Sequence, residues 1–284
     1  MAMKKIHIYT SKDNQKLYRF LIIPYYLLLI GLIFLPMGFI FIDSLQDNNV
    51  SGSLFSNSFT FDYHKEFLTN FNFLYILMRS IAISIIVTFF LLLIVYPLAY
   101  AISKLSLVWQ TFLVILINGT MWINMIIKTQ ALVQILQFLK NRFQISLLET
   151  NFAMILGLIY LFLPFILLPI YTAIIKINPQ YIQAAKDLGA NDWQVFKKII
   201  WPLSLPGVVG AVSLVFLQTA TNIVAPRYLG PTTQITIAEL IENKTLLSGE
   251  IKQACAIAIY LSLTMFLLFH LFKKISFEGV RDDA

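Results

Sequence analysis

The sequence predicts an all-α integral membrane protein with six transmembrane helices. Three observations carry that prediction. Of 284 residues, 58% are hydrophobic and only 12% charged, with a mean hydropathy of +0.77, whereas a soluble domain is roughly 45–50% apolar. The apolar residues are gathered into runs that match the about 20 helical residues needed to cross a hydrocarbon core of about 30 Å. Clusters of charge, Pro and Gly separate the runs, which places spans at roughly 20–42, 73–101, 108–127, 152–175, 205–226 and 253–272.

Residues 1–19, MAMKKIHIYTSKDNQKLYR, form a basic lead into the first run. That run, Phe20 to Ile42, exceeds the about 7–15 apolar residues of a secretory signal and has no small-residue cleavage site after it. It is therefore expected to stay as the first span. Orientation follows from Lys and Arg near the span ends. With both termini in the cytoplasm, thirteen of the 21 basic residues fall on the inner side. The first outer loop agrees, with Asp43, Asp47, Asp62 and Glu66 against Lys65; the loop from Lys128 to Glu149 runs against it with Lys128, Lys140 and Arg142. The net charge of +7 is then mostly a matter of topology, and nucleic acid is not an expected partner. Residues 20–272 form one six-helix membrane domain, and 273–284 are a cytoplasmic tail.

The second run carries Ser80, Ser84 and Thr88 at four-residue spacing, the third Thr120, Asn124 and Lys128, and the fifth Gln218, Thr221 and Asn222. In a continuous helix each set shares one face. Lys128 and Arg227 are expected at the outer interface, where long side chains reach water. Pro97, Pro164 and Pro169 lie inside runs and predict kinks.

Between the fourth and fifth runs stands a polar, basic island, NPQYIQAAKDLGANDWQVFKKIIWPLSLPG at 178–207, in a loop spanning 176–204 on the cytoplasmic side. Asn178 is an N-cap with Pro179 at the first helical position. Ile182, Ala185 and Leu188 recur at helical spacing, and Gly189 stands where a helix ends in a left-handed residue. Asn191 with Gln194 resembles a capping box, opening a second helix with Trp193, Phe196 and Ile200 on one face. Pro202 and Pro206 are expected to turn their preceding residues away from helical geometry. The adjacent Ala184 and Ala185 leave the first helix flat, open to close approach by another protein. The same residues also fit an amphipathic helix resting on anionic lipid through Lys186, Lys197 and Lys198.

The island resembles the coupling loop of binding-protein-dependent ABC importer permeases, whose pattern is Glu-Ala-Ala, three residues, Gly, nine residues, Ile, one residue, Leu-Pro. Gln183, Ala184, Ala185, Gly189, Ile199 and Pro202 stand at those places, with Gln183 for the acid and Trp201 for the Leu. VYPLAYAIS at 95–103, MWINMIIKT at 121–129, LGLIYLFLPFILLPIYTAI at 156–174 and NIVAPRYLGP at 222–231 extend the resemblance over about 73–272, toward the spermidine/putrescine permeases. The resemblance implies a type I importer permease fold in the bacterial cytoplasmic (inner) membrane. It also implies that the loop forms a coupling helix on a cytoplasmic ABC ATPase dimer. A second homologous permease, an extracytoplasmic solute-binding protein and the lipid bilayer complete the expected partners.

The chain carries no Gly-x-x-x-x-Gly-Lys-Ser/Thr phosphate loop, so ATP is expected to be bound by another polypeptide. Cys255 is alone, and His7, His64 and His270 lie in separate segments; no catalytic set, metal or cofactor is expected. Polar groups inside spans usually face the bundle or a cavity, though Ser, Thr, Asn and Gln also bond across packed helices. Ser80, Ser84 and Thr88 are assigned to packing, and Asn124, Gln218, Thr221 and Asn222 to the translocation pathway. A polyamine path calls for carboxylates or aromatic faces; polyamine relatives often carry acids near the places of Asn222 and Arg227. Polyamine is the leading expectation, with ferric iron, a phosphonate or another small organic solute open. An ion-driven secondary transporter would need intramembrane acids, and no Asp or Glu lies inside a proposed span. A membrane assembly subunit without transport stays open.

Overall fold

A computed structural model describes residues 22–46, 59–144 and 146–281. The basic lead at 1–19, Asp47 and the last three residues of the tail lie outside the described residues. Eleven helices in chain order make up the described part: α1 Ile22–Ser44, α2 Asp62–Thr69, α3 Phe71–Ser103, α4 Leu107–Gly119, α5 Met125–Phe143, α6 Asn151–Ile175, α7 Pro179–Asp187, α8 Asp192–Ala220, α9 Val224–Leu229, α10 Ile237–Glu242 and α11 Ile251–Arg281. Of these, α1, α3, α6, α8 and α11 are each long and apolar enough to cross a membrane; α4 and α5 make a sixth crossing if the bent pair counts as one.

The third crossing departs from expectation. After α4 a single 3-10 turn, Thr120–Trp122, is followed by extended Ile123, and α5 leaves at 100°. Thr120, Asn124 and Lys128 therefore do not share a helix face, and most of the expected outer loop from Lys128 is helical. The cause is local: Asn124 accepts a hydrogen bond from Ile126 N–H at 2.8 Å, starting a new helix instead of continuing the old one. The fifth crossing also stops early. Its helix ends at Ala220, so Gln218, Thr221 and Asn222 are not on one helical face either.

The core is the packing of α3, α6 and α8 against one another. Val87, Leu91 and Val95 of α3, Leu161 and Ile166 of α6, and Val215 of α8 are fully buried there. Glycines let these helices approach: a Cβ on Gly207 would lie 2.4 Å from that of Ala173, and one on Gly157 would lie 2.3 Å from Leu229 Cδ1. Small residues at crossings are what membrane helices use in place of a hydrophobic drive. A second cluster joins α2, the start of α3, α10 and α11, where Phe67 stacks on Tyr260 at 4.4 Å. The long α1 packs on α11 at the rim, its apolar surface otherwise exposed to lipid.

The prolines inside α3 and α6 do not interrupt them. Pro202 and Pro206 likewise sit within a continuous helix: Trp201, before Pro202, keeps right-handed helical angles, and Leu205, before Pro206, stays in the helix, against expectation. Pro202 has no N–H to give, and the turn ahead of it widens to a π-helical stretch, Phe196–Ile200.

Candidate functional site

The island folds as two short helical arms meeting at a tight corner. Asn178 accepts from Gln180 N–H at 3.0 Å, with Pro179 opening α7. α7 closes through Ala190 N–H to Ala185 O at 3.0 Å and Gly189 N–H to Lys186 O at 2.9 Å, the paired bonds of a Schellman cap. Gly189 holds φ +83, a conformation that costs other residues but not glycine. Asn191 and Gln194 then bond each other's backbone N–H at 2.8 and 3.0 Å, a complete capping box that starts α8. Lys186 Nζ reaches Asp192 Oδ1 at 2.8 Å across the corner; that hydrogen bond raises the lysine pKa above its ordinary value. Every turn of the corner is thus fastened by its own residues.

An open groove runs along this knuckle between Ala185, Leu188, Gly189, Gln194, Lys198 and Ile199. It brings together three of the sequence-predicted residues, Ala185, Gly189 and Ile199. Gln183 and Ala184 are exposed on α7 beside it, and Pro202 stands farther along α8. Leu188 projects into solvent with 89% of its surface free, and Tyr181 and Trp193 are also exposed. Large apolar side chains on an otherwise polar corner mark a contact surface.

The pathway candidates meet elsewhere. Gly207 on α8 touches Ala173 on the antiparallel α6, and equal chain lengths from that contact bring the end of α8 level with Tyr160. Tyr160 is about 14 Å along α6 from its start at Asn151, at 1.5 Å per residue, so both helix breaks lie partway along the bundle and not at its end, with Trp122 and Ile123 on the exposed surface and Asn222 buried. Asn222 Oδ1 accepts from Ala225 N–H at 3.0 Å, starting α9, and its Nδ2 lies 4.0 Å from Met125 Sδ. The break at Asn124 and the break at Asn222 are therefore neighbours. Gln218 Oε1 is buried with no hydrogen-bond partner, and Thr221 is exposed and bonded to Leu217 O. Irregular backbone at membrane depth is tolerated where it is enclosed by protein or lines a cavity, and broken helices are where transporters place their sites.

Lys128 departs from expectation. It is 3% exposed, and its Nζ sits 5.4 Å from the centre of the Tyr160 ring, a cation–π contact at the breaks instead of an interfacial charge. Arg227 is half-exposed and pairs with Glu242 of α10, Nη1 to Oε1 at 2.9 Å. Ser80 Oγ accepts from Ile237 N–H at 2.8 Å and Ser84 bonds Ser80 O, so these two serve packing as expected. Thr88 Oγ1 is buried and unbonded.

Sequence reasoning missed Arg79. Its guanidinium donates to Gln234 O and Ile235 O, both at 3.0 Å, and to Asn151 Oδ1 at 2.7 Å. One side chain of α3 thereby pins the chain ahead of α10 and the start of α6. An arginine inside an apolar run was the signal. Tyr96 and Ser204, bonded at 2.8 Å in the core, were missed too; nothing in the sequence pairs residues that far apart.

A bundle of apolar spans, broken at two adjoining points partway along its length and carrying a preformed polar knuckle on one loop, is the membrane domain of a transport protein. Residues 71–281 match the family described as binding-protein-dependent transport system inner membrane component, and the chain belongs to that family as the permease subunit of an ABC importer. Among its relatives is the spermidine/putrescine transport system permease protein PotB of Haemophilus influenzae, 32% identical over 233 residues, which cover 77% of this chain and 82% of the relative. PotB of Escherichia coli K12 is 29% identical over 204 residues, covering 68% and 74%. The fold is shared with a bacterial ABC transporter that imports alginate (TM-score 0.71, 18% identity, 94% of this chain and 96% of that one). It is shared more loosely with the methionine transporter MetNI (TM-score 0.58, 18% identity, 72% and 96%).

Proposed function

We propose that the subunit forms, with a second homologous permease, the pathway of an importer powered by a separate ATPase pair, and that residues 176–204 are its contact with that ATPase. The observation that carries the reading is the knuckle. It is capped at both arms, fastened at Gly189, and open at small Ala185, Gly189 and Ala190 beside exposed Leu188. A rigid protrusion of this kind transmits displacement without absorbing it. Nucleotide-driven closure of the ATPases moves the knuckle, and the spans shift between two states that bind partners differently. Both termini then face the cytoplasm, a solute-binding protein docks at the opposite end of the bundle, and this chain performs no chemistry itself. In that frame the chain hydrolyses no ATP.

The solute is a polyamine-type cation, supported by the PotB relatives. The buried Lys128 at the breaks favours a second reading, a solute bearing an anionic group, because a cation with an aromatic neighbour but no carboxylate partner among the described residues repels a polycation and attracts an anion. Purifying the tagged subunit in mild detergent, identifying the chains that come with it and measuring solute-stimulated ATPase activity tests both. Co-purification of an ATPase and stimulation by spermidine or putrescine is the expected result. An isolated subunit, or one cross-linked only to phospholipid through residues 183–189, would overturn the proposal.

A further inference from the structure

A push on the knuckle must enter the bundle somewhere, and the structure shows one tightly built joint. The second arm continues into α8 through the π-helical stretch Phe196–Ile200, where Trp201 N–H donates to Phe196 O. Residues five apart would stand about 140° from each other on a regular helix at about 100° per residue; the wider turn stacks them on one side. Both rings consequently meet Tyr96 of α3 edge-on, Phe196 at 5.8 Å and Trp201 at 4.9 Å between centroids. Phe196 also meets Tyr100 at 5.3 Å and stacks on Trp193 at 5.5 Å.

The same ring carries a polar bond. Tyr96 Oη and Ser204 Oγ are 2.8 Å apart, and the two residues are 4% and 0% exposed. Ser204 gives its one proton to Trp201 O at 3.0 Å, so Tyr96 donates to Ser204. The next residue of α3 is Pro97, which removes a backbone hydrogen bond and leaves the helix easier to bend there.

We propose that Tyr96 is a positioning residue that carries movement of the coupling loop into α3: its ring is gripped by Phe196 and Trp201, its hydroxyl is tied to Ser204, and Pro97 is the hinge beside it. This deepens the proposed function and rests on the loop being the ATPase contact. Tyr96→Phe keeps the ring and removes only the bond to Ser204; Ser204→Ala removes the other partner, and Ser204→Thr restores a hydroxyl.

The test is the number of solute molecules taken up per ATP hydrolysed by the complete importer in proteoliposomes, with thermal stability measured alongside. Tyr96→Phe and Ser204→Ala are expected to lower that ratio by at least about fivefold, the low end of typical coupling between sites. The double variant should be no worse than either single one, and Ser204→Thr should recover most of the ratio. A structural role alone would lower stability and leave the ratio unchanged, and that result overturns the inference. Gly189→Val is measured in parallel. If it uncouples while Tyr96→Phe does not, the joint is wrong and the loop reading stands; if neither uncouples, both fall.

Discussion

Gly189→Val offers the sharpest test of the knuckle. Gly189 sits at φ +83 with no neighbouring atom within 4 Å of where a Cβ would be, so the substitution makes no clash. Its whole effect is on the backbone. An L-residue in this conformation costs roughly 1–2 kcal/mol, and a β-branched one is a genuine outlier there. The cap bonds from Gly189 N–H to Lys186 O and from Ala190 N–H to Ala185 O depend on that conformation. A cost of one or two kcal/mol is a factor of about 5–30 in an equilibrium ratio, here the ratio of formed to opened knuckle. Asparagine tolerates the left-handed region better than other side chains, so Gly189→Asn should be milder than Gly189→Val. In reconstituted importer, uptake per ATP should fall in the order Gly, Asn, Val, while the amount of subunit in the membrane stays constant. Equal ratios for all three, or equal loss with Asn and Val, would refute the backbone argument.

Gly207→Val drives a Cβ into Ala173 and should destabilise the α6–α8 crossing by about 1–3 kcal/mol, seen as a lower melting temperature of the detergent-solubilised subunit. Arg79→Met leaves the carbonyls of Gln234 and Ile235 without their charged donor; the expected loss is about 1.5–3 kcal/mol, visible as faster proteolysis of residues 230–250. Lys128→Met should leave or raise uptake of spermidine if the solute is a polycation, and should abolish uptake if the solute's anionic group is held there; transport of radiolabelled solute separates the two.

Much of the knuckle was legible in the sequence because its signals are local. Asn178-Pro179, Gly189 and Asn191 with Gln194 act over three or four residues, and each is found in its expected geometry. The spans were legible for the same reason, since length and apolarity are properties of one segment. Two of the readings that failed assumed that a helix continues, while the reading of Pro202 and Pro206 failed by assuming a break where the helix runs on. Thr120, Asn124 and Lys128 are four apart, but Asn124 caps a new helix instead of extending the old one. A capping asparagine in an apolar stretch competes with the ladder, and which side wins depends on whether the freed groups find enclosure.

Residence in a membrane, the rough placement of the unbroken crossings and the sharp bend in the loop after the fourth could be read from the sequence, because burial in lipid and helix capping are decided within a few turns. Long-range packing, by contrast, set the breaks at Asn124 and Asn222 side by side, put Lys128 among them over Tyr160, and held Tyr96 between Phe196, Trp201 and Ser204. Those contacts join residues about 30 to 110 positions apart, and they arise from how α3, α5, α6 and α8 pack, which no local pattern encodes.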